Sequence, residues 1–120
     1  MKRLPDLLAD AQTRVKELMP WDLQGRLAAN PGLIVLDVRE PAEFAAERIR
    51  GALLYPLSTF DAKQLPPDGA RRVVFHCAGG KRSLAAAEQR LAAGSAHATH
   101  MGGGIAAWKA AGLPVLAPGG

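Results

Sequence analysis

Short apolar runs alternate along the chain with alanine-rich stretches of helical spacing. This pattern predicts an α/β domain, a mostly parallel central sheet flanked by helices. The clearest strands are Leu33-Ile34-Val35-Leu36 and Val73-Val74-Phe75-His76. Each is entered from turn-forming sequence, Asn30-Pro31-Gly32 for the first and Pro66-Pro67-Asp68-Gly69 for the second. Ala52-Leu53-Leu54-Tyr55, closed by Pro56, reads as a third strand and His97-Ala98-Thr99-His100-Met101 as a weaker fourth. Helices are expected at about 21–29, 41–46, 58–64, 83–93 and 105–111, with Ser83 the candidate cap of the longest.

Ahead of these elements, Leu4, Leu7, Leu8, Ala11, Val15 and Leu18 lie near helical spacing, while Val15 to Met19 also reads as an edge strand. The favoured division is helix to about Arg14, then strand. The expected organisation is a helical extension over 1–14, one domain over 15–116 and a tail over 117–120, loose at Pro118-Gly119-Gly120. No internal repeat is evident.

With 120 residues, 48% hydrophobic and 22% charged, the chain can form one compact core and has no composition suggesting extensive disorder. Its net charge of +4 raises nucleic acid as a partner. However, the basic residues are dispersed, aromatics make up only 5% and no stacking platform accompanies them, so no nucleic-acid role is expected. A modest positive field that attracts small anions is the simpler reading. No apolar run is long enough to span a membrane, so no membrane partner is expected. Asp6, Asp10 and Arg14 interrupt any export-signal core, and a soluble, cytoplasmic protein is expected. A single cysteine can form no internal disulfide and supply no zinc cluster, and a reactive thiol is easiest to keep in a reducing compartment.

That cysteine, Cys77, follows the Val73–His76 run directly and precedes Ala78-Gly79-Gly80-Lys81-Arg82, which leads into the longest predicted helix. In open α/β sheets ligands gather at the carboxyl ends of strands. The glycines allow successive backbone N–H groups to converge as an anion-binding nest, and the positive end of a helix dipole favours the ionised thiol. The thiolate is the nucleophile. A buried structural thiol is the plainer fate of a lone cysteine, and the glycines and Arg82 argue against it.

The chain resembles the single-domain rhodaneses, or thiosulfate sulfurtransferase-like domains, over about residues 15–116. The resemblance rests on Val35-Leu36-Asp37-Val38-Arg39-Glu40-Pro41-Ala42-Glu43-Phe44, on Ile49-Arg50-Gly51-Ala52, on Phe75-His76-Cys77-Ala78-Gly79-Gly80-Lys81-Arg82-Ser83 and on the closing stretch Gly103 to Val115. It implies a sulfurtransferase without cofactor or metal. Cys77 would take sulfur from a small anionic donor such as thiosulfate and pass it as a persulfide to an external thiol or cyanide. Protein donors and acceptors fit the same chemistry. The resemblance further implies that Ala78, Gly79, Gly80, Lys81 and Arg82 bind the donor, the backbone N–H groups of 78–82 holding negative charge and the two cations attracting the anion. Arg82 has a second reading as a structural tie to an acidic neighbour. The C-x4-R loop is one residue shorter than in related phosphatases and arsenate reductases, which disfavours those activities. A module of the same fold served only by a partner protein is the other alternative.

Glu47-Arg48 replace a Gly-His pair common in the family. His76 adjoins Cys77, but strand alternation points the two side chains to opposite faces. His97 and His100 are spaced i, i+3 without a third ligand, and are expected at the surface or half-buried. Asp37, Arg39 and Glu43 read best as a polar network that locks the loop after their strand, and Gly102-Gly103-Gly104 as a site of close backbone packing. Trp21 and Trp108 are expected in the core or between helices.

Overall fold

A computed structural model describes residues 14–69 and 71–118. The predicted leader helix lies outside the described residues except for Arg14, and the tail beyond Pro118 lies outside them too. The chain runs β1 (Val15–Leu18), α1 (Pro20–Ala29), β2 (Ile34–Asp37), α2 (Pro41–Ala46), β3 (Leu53–Leu54), β4 (Val73–His76), α3 (Lys81–Ala92), β5 (Ala98–Met101) and α4 (Gly104–Ala110). The strands form one five-stranded parallel sheet in the order β1-β5-β4-β2-β3. Apart from the sheet, an antiparallel bridge joins Arg48 to Leu116 and ties the chain's end back to the loop after α2.

β4 lies between β2 and β5 and all four of its residues are buried, which is why its sequence is a continuous apolar run rather than an alternating one. Alternation still sorts its side chains. Val73, Phe75 and Cys77 join one buried cluster with Ala86, Ala87 and Leu91 of α3. Val74 enters the other, with Leu23 of α1 and Ile105 and Trp108 of α4. A sheet covered on both faces by helices results, the fold the apolar pattern implied.

Three local expectations need correction. Residues 58–64 form two short 3-10 turns, Leu57–Thr59 and Ala62–Gln64, instead of one helix. Phe60 and Asp61 between them are extended. Phe60 lies between Tyr55 and Phe75, with ring centroids 5.0 and 5.6 Å away, and the Tyr55 hydroxyl both accepts from Asp61 N–H and donates to Asp61 C=O. Side-chain packing there outweighs a continuous helical ladder. The longest helix starts at Lys81 with Gly80 as its cap, so Ser83 lies within the first turn and does not cap it. Trp108 is buried as expected, but Trp21 is 63% exposed: α1 buries Pro20 and Leu23, and Trp21 falls off that stripe.

Candidate active site

Cys77 emerges from the carboxyl end of β4, and the chain then turns sharply into α3. The turn depends on Gly80, whose φ of +109° is left-handed; a Cβ there would also lie 3.2 Å from the backbone nitrogen of Gly103. This path aims amides at the sulfur: Cys77 Sγ accepts hydrogen bonds from Gly80 N–H at 3.1 Å and Ser83 N–H at 3.3 Å. The thiol donates to Ser83 Oγ at 3.6 Å. Cys77 is only 1% exposed. Burial by itself pushes the thiol up, and the bonds from the Ser83 hydroxyl and from the N–H groups of Ser83, Gly80 and Gly79 outweigh it, leaving the thiol below its ordinary range. The first turn of the twelve-residue α3 adds the favourable end of its dipole.

Arg82, half-buried in that first turn, forms a two-pronged ion pair with Glu43 of α2: Nη1 donates to Oε1 at 2.7 Å and Nη2 to Oε2 at 2.9 Å. The same Oε1 accepts from Glu40 N–H at 3.0 Å, which fixes the start of α2. The Arg82 guanidinium holds the Glu43 carboxyl down at about 2, with the Glu40 N–H assisting. Three of the five guanidinium N–H groups remain for other acceptors. Lys81 is exposed beside the loop.

Asp37 and Arg39 form a separate, fully buried pair beneath α2. Arg39 donates to Asp37 through its backbone N–H at 3.0 Å, through Nε at 3.0 Å and through Nη2 at 2.8 Å, and Nη2 also donates to Glu47 C=O at 2.6 Å. His76, on the sheet face opposite Cys77, lies with Nε2 3.6 Å from Asp37 Oδ2. Its burial lowers its pKa, with Asp37 pulling the other way.

α4 holds the far side of the Cys77 loop. Ile105 N–H donates to Cys77 C=O at 2.8 Å and Ala106 N–H to Ala78 C=O at 3.1 Å. Gly104, with φ +63°, lets this helix end approach so closely: a Cβ there would lie 2.5 Å from the Ala78 carbonyl carbon. This is the close backbone packing expected of Gly102-Gly103-Gly104.

Of the loop residues singled out in sequence, the amides of Gly79 and Gly80 reach the sulfur, Arg82 is engaged by Glu43, and Lys81 is solvent-facing. Sequence reasoning missed two residues. Ser83 contributes both an N–H and a hydroxyl to the sulfur, and His100 of β5 places Nδ1 2.9 Å from Ser83 Oγ. Ser83 was visible as the first hydroxyl after the C-x4-R loop. His100 carried no such signal, and it is buried whereas His97 is exposed. A cleft of about 470 Å³, lined by Gly79, Gly80, Lys81, His100, Glu17 and Glu88 among others, opens beside the loop. A second, wider cleft of about 870 Å³ is rich in arginine and lies at the amino ends of β2, β4 and β5, away from Cys77. Among the described residues no group of three His, Cys, Asp or Glu side chains is placed to hold a metal ion, and no helix is long and apolar enough to cross a membrane.

A cysteine sulfur held by converging amides at the carboxyl end of the central strand of a parallel sheet is where α/β domains gather their ligands. The chain belongs to the rhodanese-like domain family, whose profile matches residues 20–111. It is 35% identical over 106 residues to a protein named sulfurtransferase from Allochromatium vinosum, covering 87% of this chain and 97% of that one. It is 38% identical over 110 residues to an uncharacterized protein of Synechocystis sp., covering 92% of this chain and 60% of that protein, so it spans less than two thirds of that relative. Among solved structures, a thiosulfate sulfurtransferase from Pseudomonas aeruginosa superposes with a TM-score of 0.78 at 26% identity, covering 92% of this chain and 22% of that one. A rhodanese-related protein from Thermoplasma volcanium gives 0.72 at 31% identity, covering 84% and 97%.

Proposed function

We propose that this domain moves a sulfane sulfur from thiosulfate, or a related persulfide donor, to a thiol or cyanide through a persulfide on Cys77. The observation that carries this reading is the sulfur of Cys77 held at 3.1 and 3.3 Å by the N–H groups of Gly80 and Ser83 inside a C-x4-R loop. The thiolate attacks the outer sulfur of thiosulfate, the S–S bond of the donor breaks, and sulfite leaves with the electron pair. The acceptor then attacks the terminal sulfur of the Cys77 persulfide, forming thiocyanate or a new persulfide and returning the thiolate. Splitting the transfer into two displacements lowers each barrier, and amides fixed by α3 need no reorganisation to meet the charge. In this reading Lys81, and the Arg82 N–H groups left over from its pair with Glu43, attract the anionic donor. A thiol only 1% exposed favours a small, protruding electrophilic atom, which a terminal sulfur is. The reducing cytoplasm suits a thiol that must be free at each cycle's start.

A second reading has a protein persulfide as the donor. The pairing of Arg82 with Glu43 favours it, because that pair offsets the cation a free dianion would seek. Intact-protein mass spectrometry after incubation with thiosulfate, without reductant, tests the first reading. A gain of about 32 Da, one sulfur, on the wild type and none on Cys77→Ser, reversed by cyanide, is expected. No gain, with Cys77 still open to alkylation, would overturn thiosulfate as donor and move the protein persulfide to first place.

A further inference from the structure

The buried thiol of Cys77 must lose a proton before it can act, and the loop amides that hold its sulfur are donors that cannot take one. Ser83 Oγ accepts the thiol hydrogen, at 3.6 Å. That hydroxyl has one hydrogen and three acceptors within reach: Gly80 C=O at 3.1 Å, His100 Nδ1 at 2.9 Å and, once ionised, the sulfur itself. His100 is held on β5 in register with Glu17 of β1 on one side and Phe75 of β4 on the other. It lines the cleft beside the catalytic loop, together with Glu17 from β1 and Lys81 and Glu88 from α3.

We propose that His100 is the proton outlet of Cys77, acting through the Ser83 hydroxyl and exchanging its proton with water in the cleft bounded by Glu17, Lys81 and Glu88. The proposal rests on Cys77 being the nucleophile. His100 touches no substrate atom; it is a positioning residue that works through Ser83. Before ionisation the thiol donates to Ser83 Oγ, and the Ser83 hydroxyl donates to Nδ1 of a neutral His100 whose own proton is on Nε2. On ionisation the S–H bond breaks and its electron pair stays on sulfur. The proton passes to Oγ as the former hydroxyl hydrogen moves to Nδ1, and the imidazolium so formed releases its Nε2 proton to water. Thiol plus neutral imidazole thus becomes thiolate, neutral imidazole and a solvated proton, and the Ser83 hydroxyl now donates to the thiolate. No co-reactant is required. Burial lowers the pKa of His100, while Glu17 and Glu88 partly oppose this, so the ring is neutral and able to accept near neutral pH.

Two titrating groups linked by one hydroxyl do not ionise independently. The test is therefore the pH profile of Cys77 alkylation by iodoacetamide, measured on the whole chain and requiring no sulfur donor. The wild type is expected to show two inflections, one from the thiol and one from His100. His100→Asn keeps a polar group near the place of Nδ1 but cannot take a proton. It is expected to show one inflection and about tenfold slower alkylation near neutral pH. Ser83→Ala is expected to remove the second inflection as well, and adding His100→Asn to it should change nothing further. A His100→Asn profile with the shape and midpoints of the wild type, or one lowered equally at every pH, would overturn the relay. Should His100→Asn fail to fold, NMR titration of the His100 ring in the wild type and in Cys77→Ser decides the matter: a shifted midpoint supports the coupling and an unmoved one refutes it. Sulfur uptake with a one-inflection wild-type profile would sink the relay alone; two inflections without sulfur uptake from any donor would sink the transferase reading alone.

Discussion

Replacing Gly104 with alanine strikes the Cys77 loop from behind, and the size of the effect can be worked from the geometry. The new Cβ would lie 2.5 Å from the Ala78 carbonyl carbon, where ordinary contact is about 3.5 Å, so the loop and α4 must separate by roughly 1 Å. Such overpacking costs about 1–3 kcal/mol. Separation also weakens the bonds from Ile105 N–H to Cys77 C=O and from Ala106 N–H to Ala78 C=O, each contributing about 1 kcal/mol. The left-handed φ of +63° adds about 1 kcal/mol for any residue with a Cβ. The expected loss is about 3–5 kcal/mol, a fall in melting temperature of roughly 12–20 °C for a chain of this size. Gly112 supplies the control. Its φ is +81°, yet a Cβ there would meet nothing within 4 Å, so Gly112→Ala should lose only the backbone part, about 1 kcal/mol. Thermal melting of both variants, with the alkylation rate of Cys77 measured below the transition, checks the argument. Gly104→Ala should melt well below Gly112→Ala and react more slowly, because the amides of Gly80 and Ser83 move with the loop. Equal melting temperatures would show that the helix end is not packed as the structure describes.

Asp37→Asn leaves the buried Arg39 guanidinium without its carboxylate, and urea denaturation should show a loss of about 3–5 kcal/mol; less than about 1 kcal/mol would mean that the pair is dispensable. Glu43→Gln removes a pair whose side chains are 36% and 34% exposed, so solvent screening keeps the expected loss near or below 1 kcal/mol at pH 7. Because the Glu43 carboxyl titrates at about 2 in the folded protein and at 4.5 as its ordinary value, its contribution is complete above pH 4.5 and fades as pH falls toward 2. The stability gap between wild type and Glu43→Gln should therefore close over that interval, and a gap that persists at pH 2 would assign the effect to something other than the ion pair.

The inner strands β2 and β4 were legible because they are buried on both faces. Val73-Val74-Phe75-His76 is apolar enough, and bounded sharply enough by Gly69 and Gly79, to be read without knowing its neighbours. The segment 58–64 was not, since its conformation is set by the contacts of Phe60 with Tyr55 and Phe75, and spacing carries no trace of those contacts. Cys77 and the loop that holds its sulfur showed in the local order of the cysteine, the glycines and Arg82. The rest of the site comes from partners remote along the chain. Glu43 reaches Arg82 across 39 positions, and His100 reaches Ser83 across 17 by virtue of β5 lying next to β4 and packing against α3. Trp21 shows the converse limit: a large apolar side chain one position off the buried stripe of its helix remains in solvent.

The central position of β4 bears on how long the protein keeps working once it is stressed. In native-state exchange, frayed ends and edge strands open at little cost, while a fully buried inner strand exchanges only with global unfolding. The backbone that delivers Cys77 belongs to the second class, since β4 is hydrogen-bonded on both sides and covered on both faces. Partial opening at the edge strand β3 leaves the backbone around Cys77 in place, so the loop amides hold the sulfur until the whole domain unfolds, and loss of the proposed activity on heating keeps pace with complete unfolding.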